Sequence, residues 1–208
     1  APKVTSTHPP DGAYNVNVNT YINIAFDVEM DHLSVEGAFS YTDGTRVWTV
    51  VNGTVEWFSD FKLFSFQPAQ KLNFDVDYTV LLTTAAMSTY GITLDGNGNG
   101  IPEADDNYSF RFSTILEPPV VVSHYPTPML RNVPVTLNLI FVNFSTVMNL
   151  ATVMNSVSIT PTIQFTMAFS GGGRNMTILL NGLLQMGTEY TFIVLGAATD
   201  LAGTKLDG

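Results

Sequence analysis

The sequence repeats itself once, and that restricts the fold more than any single motif does. Lys3-Val4-Thr5-Ser6-Thr7-His8-Pro9 resembles Val120-Val121-Val122-Ser123-His124-Tyr125-Pro126. Downstream, Asn15-Val16-Asn17-Val18 answers Asn132-Val133-Pro134-Val135, and Ile22-Asn23-Ile24-Ala25-Phe26 answers Leu137-Asn138-Leu139-Ile140-Phe141. Asp77-Tyr78-Thr79-Val80 answers Glu189-Tyr190-Thr191-Phe192, and Gly91-Ile92-Thr93-Leu94-Asp95-Gly96 answers Gly203-Thr204-Lys205-Leu206-Asp207-Gly208. The spacing drifts from 117 residues at Pro9 and Pro126 to 112 at Tyr78 and Tyr190, as two copies with small loop deletions require. This places one unit at residues 1–115, a junction at 116–119 and a second unit at 120–208. The junction carries Pro118-Pro119, which is stiff and extended because each ring fixes φ and restricts the residue before it. Two separate units lying end to end, with a small interface, are expected.

Each copy reads as β-structure, because apolar residues alternate with polar ones at the two-residue period of a half-buried strand. Ile22, Ile24 and Phe26 share a face, and Phe64 and Phe66 flank Ser65. Tyr78, Val80 and Leu82 alternate with Thr79 and Leu81, and Tyr108, Phe110 and Phe112 with Ser109, Arg111 and Ser113. Turn clusters at Asp11-Gly12, Asp43-Gly44, Asn52-Gly53 and Gln67-Pro68-Ala69 separate these runs. The pattern predicts an all-β chain, two tandem Ig-like β-sandwiches of about seven strands each, with two sheets around one core. Tyr78 and Tyr190 open a late strand six residues after Leu72 and Leu184, where a tyrosine corner would sit; an ordinary inward-facing tyrosine fits as well. Helical periodicity is weak, and short turns are expected after Met30-Asp31 and Met148-Asn149.

The copies end differently. The first continues past Leu94-Asp95-Gly96 into a loop and the strand at residues 107–114, whereas the second reaches only Leu206-Asp207-Gly208. Its last strand has no counterpart, so an open sheet edge is expected beside residues 190–195. Either the end is cut or disordered, or another chain supplies the strand.

Composition removes several function classes. A net charge of −10 with only 8 Lys and Arg argues against a phosphate-tracking nucleic-acid binder and against an anionic membrane surface as partner. No apolar run reaches the roughly 18 residues of a spanning helix, so membrane insertion is not expected. The absence of cysteine removes disulfides, zinc–thiolate sites and thiol catalysis. Solubility rests instead on 25 Thr, 16 Asn and 13 Ser, of which Thr favours strands and Asn favours turns.

Several segments in order then resemble the bacterial Ig-like domain that is repeated in S-layer and other large surface proteins. They are Ser6-Thr7-His8-Pro9-Pro10-Asp11-Gly12-Ala13, Asn15-Val16-Asn17-Val18-Asn19, Ile24-Ala25-Phe26-Asp27-Val28-Glu29-Met30-Asp31 and Phe64-Ser65-Phe66-Gln67-Pro68. Leu72 with Asp77-Tyr78-Thr79-Val80, and the closing Tyr108-Ser109-Phe110-Arg111-Phe112-Ser113-Thr114, complete the set. The second copy matches more loosely, since Met148 follows Phe141 by seven residues where Met30 follows Phe26 by four. The resemblance implies a non-enzymatic, extracellular or cell-surface spacer or lattice module without a shared catalytic site. Its partners would be neighbouring domains of the same parent chain, with a surface protein or polysaccharide as a further class. The alternative is a carbohydrate- or matrix-binding accessory module of a secreted enzyme or adhesin.

The sharpest chemical signal is the run from Leu94 to Asn107. Calcium takes six to eight oxygens, and a calcium loop supplies them at positions 1, 3, 5, 7, 9 and 12, with glycine at 6. With Asp95 as position 1, Asn97 and Asn99 fall at 3 and 5, Gly100 at 6, Ile101 offers its carbonyl at 7, Glu103 sits at 9 and Asp106 at 12. Asp106 is shorter than the usual glutamate, so Asp105 could substitute for it. Residues 95–106 are therefore a candidate Ca²⁺ loop, of affinity about 10⁻⁴–10⁻³ M because two ligands are uncharged amides. A bound ion would order the loop, fix the register of the strand at Tyr108 and restrict the angle between the units. The competing reading is an Asn-Gly hairpin tip with a solvated acidic stretch.

Other constellations are weaker. His8, His32 and His124 stand apart in turn-like sequence, and Gly-x-Ser-x-Gly and His-Glu-x-x-His are both missing. Ser170-Gly171-Gly172-Gly173-Arg174 fits a hairpin turn better than an anion loop. Trp48, Trp57 and Tyr41 could stack on a sugar or pack within the sheets.

Overall fold

The computed structural model describes residues 1–101 and 103–207; Pro102, inside the candidate loop, and Gly208, the last residue of the repeat, lie outside the described residues. Two compact units divide the chain, Ala1–Leu116 and Glu117–Gly208. Both are all-β sandwiches of the Ig-like kind, as the alternation requires.

In the first unit one sheet holds β1 (Val4–His8), β3 (Ile22–Phe26), β7 (Leu63–Pro68) and β6 (Gly53–Phe58) in that order, all antiparallel. The facing sheet holds β2 (Ala13–Val16), β9 (Tyr108–Thr114), β8 (Asp77–Leu82), β4 (Phe39–Thr42) and β5 (Val47–Trp48) in that order, with β2 parallel to β9. Between the sheets Ile22, Ile24, Phe26, Phe64, Phe66, Tyr78, Val80, Leu82, Phe110 and Phe112 are all buried. Phe39 of β4 joins the layers, its ring 4.9 Å from Phe64 and 5.1 Å from Phe66. A one-residue slip of β3 would turn its three inward side chains to water at about 1.5–3 kcal/mol each, which is why the register holds.

The turn after Met30 is a short helix, α1 (His32–Ala38), and the one after Met148 is α2 (Leu150–Met154). Asp31 caps the first by accepting from the Ser34 N–H, and Asn149 caps the second by accepting from Ala151 and Thr152. Both tyrosine corners form. The Tyr78 hydroxyl accepts the Asn73 N–H at 3.0 Å, and the Tyr190 hydroxyl accepts the Gln185 N–H at 3.1 Å. Asn15 and Asn132, matched by the repeat, are both left-handed, with φ of 56° in each, a conformation Asn tolerates better than most residues.

The second unit pairs β10 (Val121–Tyr125), β11 (Leu139–Phe144), β14 (Asn175–Leu180) and β13 (Phe165–Ser170) in one sheet, and β12 (Val157–Thr160) with β15 (Thr191–Val194) in the other. Here the structure corrects the repeat alignment. Tyr125 faces Phe141 across the β10–β11 pair as His8 faces Asn23 in the first unit. The residue that answers Phe26 is therefore Phe144, not Phe141. The match of Ile-Asn-Ile to Leu-Asn-Leu slid the frame by three residues, an odd number, and so inverted the faces. Ile140, Val142 and Phe144 point inward, while Phe141 is 42% exposed. In the corrected frame Met148 follows Phe144 by four residues, the spacing of Phe26 and Met30. Among the described residues nine strands build the first unit and six the second, against the seven expected of each. The first gains the short edge strands β2 and β5; among the described residues the second has no equivalent of these two or of β9.

Candidate metal loop

The loop at residues 95–106 joins two buried anchors. Leu94 is fully buried in the first core, and Phe110 lies in β9 beyond the loop. Asp95 donates its N–H to the Pro2 carbonyl at 2.9 Å, which ties the start of the loop to the strand β1 that follows Pro2. Asp207 repeats this bond to Pro119 at the same distance, so the second unit keeps the entry to the loop. At the neck the Gly96 N–H donates to the Asp106 carbonyl at 3.1 Å, and the Asn97 N–H to Asp106 Oδ1 at 3.0 Å. A β-carbon on Gly96 would stand 2.3 Å from the Asp106 carbonyl oxygen, so this close approach requires glycine.

Inside the loop the candidate ligands bind its backbone in sequence. Asp95 Oδ2 accepts the Gly100 N–H at 2.8 Å, Asn97 Oδ1 the Asn99 N–H at 2.8 Å, and Asn99 Oδ1 the Ile101 N–H at 2.7 Å. These bonds keep the three side chains against the loop rather than free in water. Gly98 and Gly100 take φ of 74° and 90°, which the curled path needs and other residues resist. Glu103 is exposed, and its carboxylate accepts from the amides of Asn97 at 3.4 Å and Asn99 at 3.3 Å. Asp105 is exposed and the Ile101 side chain is 63% exposed, so a contribution from Ile101 would be its carbonyl alone. Among the described residues no three Asp, Glu or His side chains converge. Any ion here would depend on amide and main-chain oxygens beside two carboxylates.

Those two carboxylates, Asp95 and Asp106, are 1% and 3% exposed. Among the described residues, one oxygen of each, Asp95 Oδ1 and Asp106 Oδ2, is buried without a hydrogen-bond partner. A buried, unpaired anionic oxygen is costly, and native proteins match such atoms with water or an ion. Desolvation pushes the Asp95 carboxyl up, but the Gly100 N–H, the Lys3 ammonium and the Gly98 N–H together outweigh it and hold its pKa below the ordinary 3.8. The group is thus kept as an anion.

The remaining candidates stay apart. His8 Nε2 lies 3.3 Å from the Thr20 hydroxyl, His32 stacks on Phe61 at 5.6 Å, and His124 Nδ1 lies 2.8 Å from the Pro126 carbonyl. Tyr41 is buried and stacked on Trp48 at 5.1 Å, whereas Trp57 belongs to the opposite sheet and donates to Glu36 Oε1 at 3.0 Å. The three rings form no common exposed platform. Gly171–Gly173 are the left-handed turn of the β13–β14 hairpin, with φ of 61°, 71° and 105°. A shallow hollow of about 220 Å³ lies over β2, β8 and β9, lined by Asp77, Thr79, Arg111 and Ser113 among others; Asp77 there accepts the Ser113 hydroxyl. Sequence reasoning missed Lys3, whose ammonium reaches the loop; the signal available was the replacement of Lys3 by Val120 in the repeat.

A family model described as the bacterial Ig-like domain matches the chain twice, over residues 1–114 and 116–208. No curated protein matches. Among solved structures, PcoC, a methionine-rich copper resistance protein from Escherichia coli, is 15% identical over 54% of this chain and 97% of its own, with a TM-score of 0.38. The N-terminal part of the bacterial S-layer protein SbsC is 14% identical over 93% of this chain and 44% of its own, with a TM-score of 0.37. An L,D-transpeptidase from Mycobacterium smegmatis is 12% identical over 99% of this chain and 89% of its own, with a TM-score of 0.38. Likeness at this level carries no activity over to this chain.

Proposed function

The chain belongs to the bacterial Ig-like domain family in both of its units, and from that premise we propose that it is a non-enzymatic structural spacer of a larger extracellular or cell-surface protein, made rigid by calcium at residues 95–106. Among the described residues no helix is long and apolar enough to cross a membrane. Its partners on this reading are neighbouring domains of the same parent chain.

One observation carries the calcium reading: among the described residues Asp95 Oδ1 and Asp106 Oδ2 are buried carboxyl oxygens without hydrogen-bond partners, one from each end of the loop. The residues fit a hard cation, which takes oxygen ligands. The two carboxylates would supply the charge, the Asn97 and Asn99 amide oxygens and the Ile101 carbonyl the remainder, with Glu103 or Asp105 reaching in through water. Bound there, calcium supplies charge neutralisation. The repulsion among Asp95, Glu103, Asp105 and Asp106 would fall, and the hydrogen bonds that already close the neck at Gly96 and Asp106 would hold β9 in register more firmly. A site this poor in charge fills only where calcium is millimolar, as it is outside cells.

Thermal melts in EDTA, calcium and magnesium test this. A ligand that binds only the folded state, at 1 mM over a Kd near 10⁻⁴ M, stabilises by about 1.4 kcal/mol. The first unit should therefore melt a few degrees higher in calcium than in EDTA. Magnesium, which demands tight octahedral geometry, should do less. Both tryptophans, Trp48 and Trp57, lie in the first unit, so tryptophan fluorescence follows that unit alone. The Asp95→Ala, Asp106→Ala double variant should lose the calcium shift. Equal melting points for the wild type in EDTA and in about 5–10 mM calcium, some 50–100 times that Kd, would leave the loop an ordinary hairpin tip.

A further inference from the structure

Lys3 forms the one ion pair found among the described residues, with Asp95. Its ammonium lies 3.5 Å from Asp95 Oδ2 and donates to the Gly98 carbonyl at 3.0 Å. The Asp95 side chain is wholly buried, while that of Lys3 is 40% exposed. The main chain at Lys3 is held through both of its polar groups: the Lys3 N–H donates to Asp27 Oδ1 at 2.8 Å, and the Lys3 carbonyl accepts the Asp27 N–H at 3.1 Å. A lysine is therefore fixed at its backbone and directed over the mouth of the loop. The repeat provides an internal comparison. The second unit keeps the aspartate entry at Asp207, yet carries the aliphatic Val120 where the first has Lys3.

On the calcium reading above, we propose that Lys3 is a built-in counter-ion that sets the affinity of the loop. Without metal, its ammonium neutralises one oxygen of Asp95 and bridges to Gly98, so the loop stays folded instead of springing open under its own negative charge. With metal, the same ammonium opposes a second cation on the same carboxylate. Asp95 Oδ2 is taken by Lys3 and by the Gly100 N–H, and Oδ1 is the oxygen left for the ion. Two cations sharing one carboxylate repel even in water-like surroundings, by an amount worth roughly tenfold in affinity. Lys3 thus trades calcium affinity for order in the empty loop, and it keeps the site in the millimolar range that a surface module meets.

The test compares wild type, Lys3→Met and Lys3→Arg, in the full chain, by two measurements. Lys3→Met keeps the length of the stem and removes the charge; Lys3→Arg restores the charge. The first measurement is amide hydrogen exchange across residues 96–107 in EDTA. Lys3→Met should exchange faster there than wild type, and Lys3→Arg should match wild type. The second is a calorimetric titration with calcium chloride, in which Lys3→Met should bind roughly tenfold more tightly than the other two. Unchanged exchange in EDTA for Lys3→Met overturns the counter-ion role, whatever calcium does. Equal or weaker calcium binding by Lys3→Met overturns the opposition while leaving calcium at the loop intact. No calcium heat in any variant, with faster exchange in Lys3→Met, overturns the calcium reading and the tuning role together while the ion pair stands.

Discussion

Two equivalent hairpins solve one backbone problem with different residues. The β6–β7 turn runs through Ser59, Asp60 and Phe61 at φ of 54°, 54° and 60°, and the β13–β14 turn through Gly171, Gly172 and Gly173. Their hydrogen bonds correspond: Lys62 N–H to the Ser59 carbonyl at 3.2 Å and Arg174 N–H to that of Gly171 at 3.4 Å, Met30 N–H to Phe61 at 3.1 Å and Met148 N–H to Gly173 at 3.3 Å. A side chain in left-handed backbone costs roughly 1–2 kcal/mol, so the first unit carries strain that the glycines avoid. Part of it is offset at Phe61, whose ring stacks on His32 at 5.6 Å and approaches Trp57 at 6.1 Å. Among the described residues Asp60 makes no side-chain hydrogen bond or ion pair that would offset its share. Asp60→Gly relieves strain but adds unfolded-state entropy of about 0.5–1 kcal/mol, so a net gain of about 0.5–1 kcal/mol is expected. Gly172→Ala has room for its methyl group yet keeps the same φ, and it should destabilise the second unit by about 1 kcal/mol. Denaturant midpoints for the two variants check both signs; a loss of stability in Asp60→Gly would show that the turn is not strained.

At the scale of elements, the tyrosine corners fix where β8 and β15 begin. Each hydroxyl accepts one N–H from the turn five residues before it, so removing it leaves that donor without its partner. Tyr78 is 1% exposed and Tyr190 only half-buried. Tyr78→Phe should therefore cost about 1–2 kcal/mol, and Tyr190→Phe less because water can replace the lost bond; equal losses from the two would mean that burial does not govern the corner. These corners were legible in the sequence because tyrosine, leucine and spacing recur together. The register of β11 was not. Leu137, Leu139 and Phe141 mimic Ile22, Ile24 and Phe26 in type, and what separates true from false alignment is which side meets the core. That depends on one extra residue between Val135 and Ile140 relative to Val18 and Ile22. In the loop, the sequence showed the oxygen-bearing spacing of Asp95, Asn97, Asn99 and Asp106. It could not show that Asp95 and Asp106 are buried while Glu103 and Asp105 face water, nor that Lys3 arrives from the other end of the unit.

Across the whole molecule, the two units differ most at one sheet edge. In the first, β8 lies between β4 and β9, and its inward Tyr78, Val80 and Leu82 are fully covered. In the second, β15 pairs with β12 and, among the described residues, with no strand on its other side. Its inward Tyr190, Phe192 and Val194 are only half-buried, so less apolar surface is withdrawn from water. An edge strand also opens locally more easily, since half of its backbone groups have water as the alternative partner. In this chain of 208 residues the second unit should thus unfold first. Circular dichroism, which sees both units, should show a transition below the one reported by tryptophan fluorescence from the first unit, and calcium should move only the fluorescence transition. Residue-resolved hydrogen exchange at a concentration where the chain is monomeric makes the sharper test. Amides of residues 191–194 should exchange at least tenfold faster than those of residues 78–82. Equal protection in the monomer would mean that the outer side of β15 is already paired, and that the second unit is closed by contacts other than a strand.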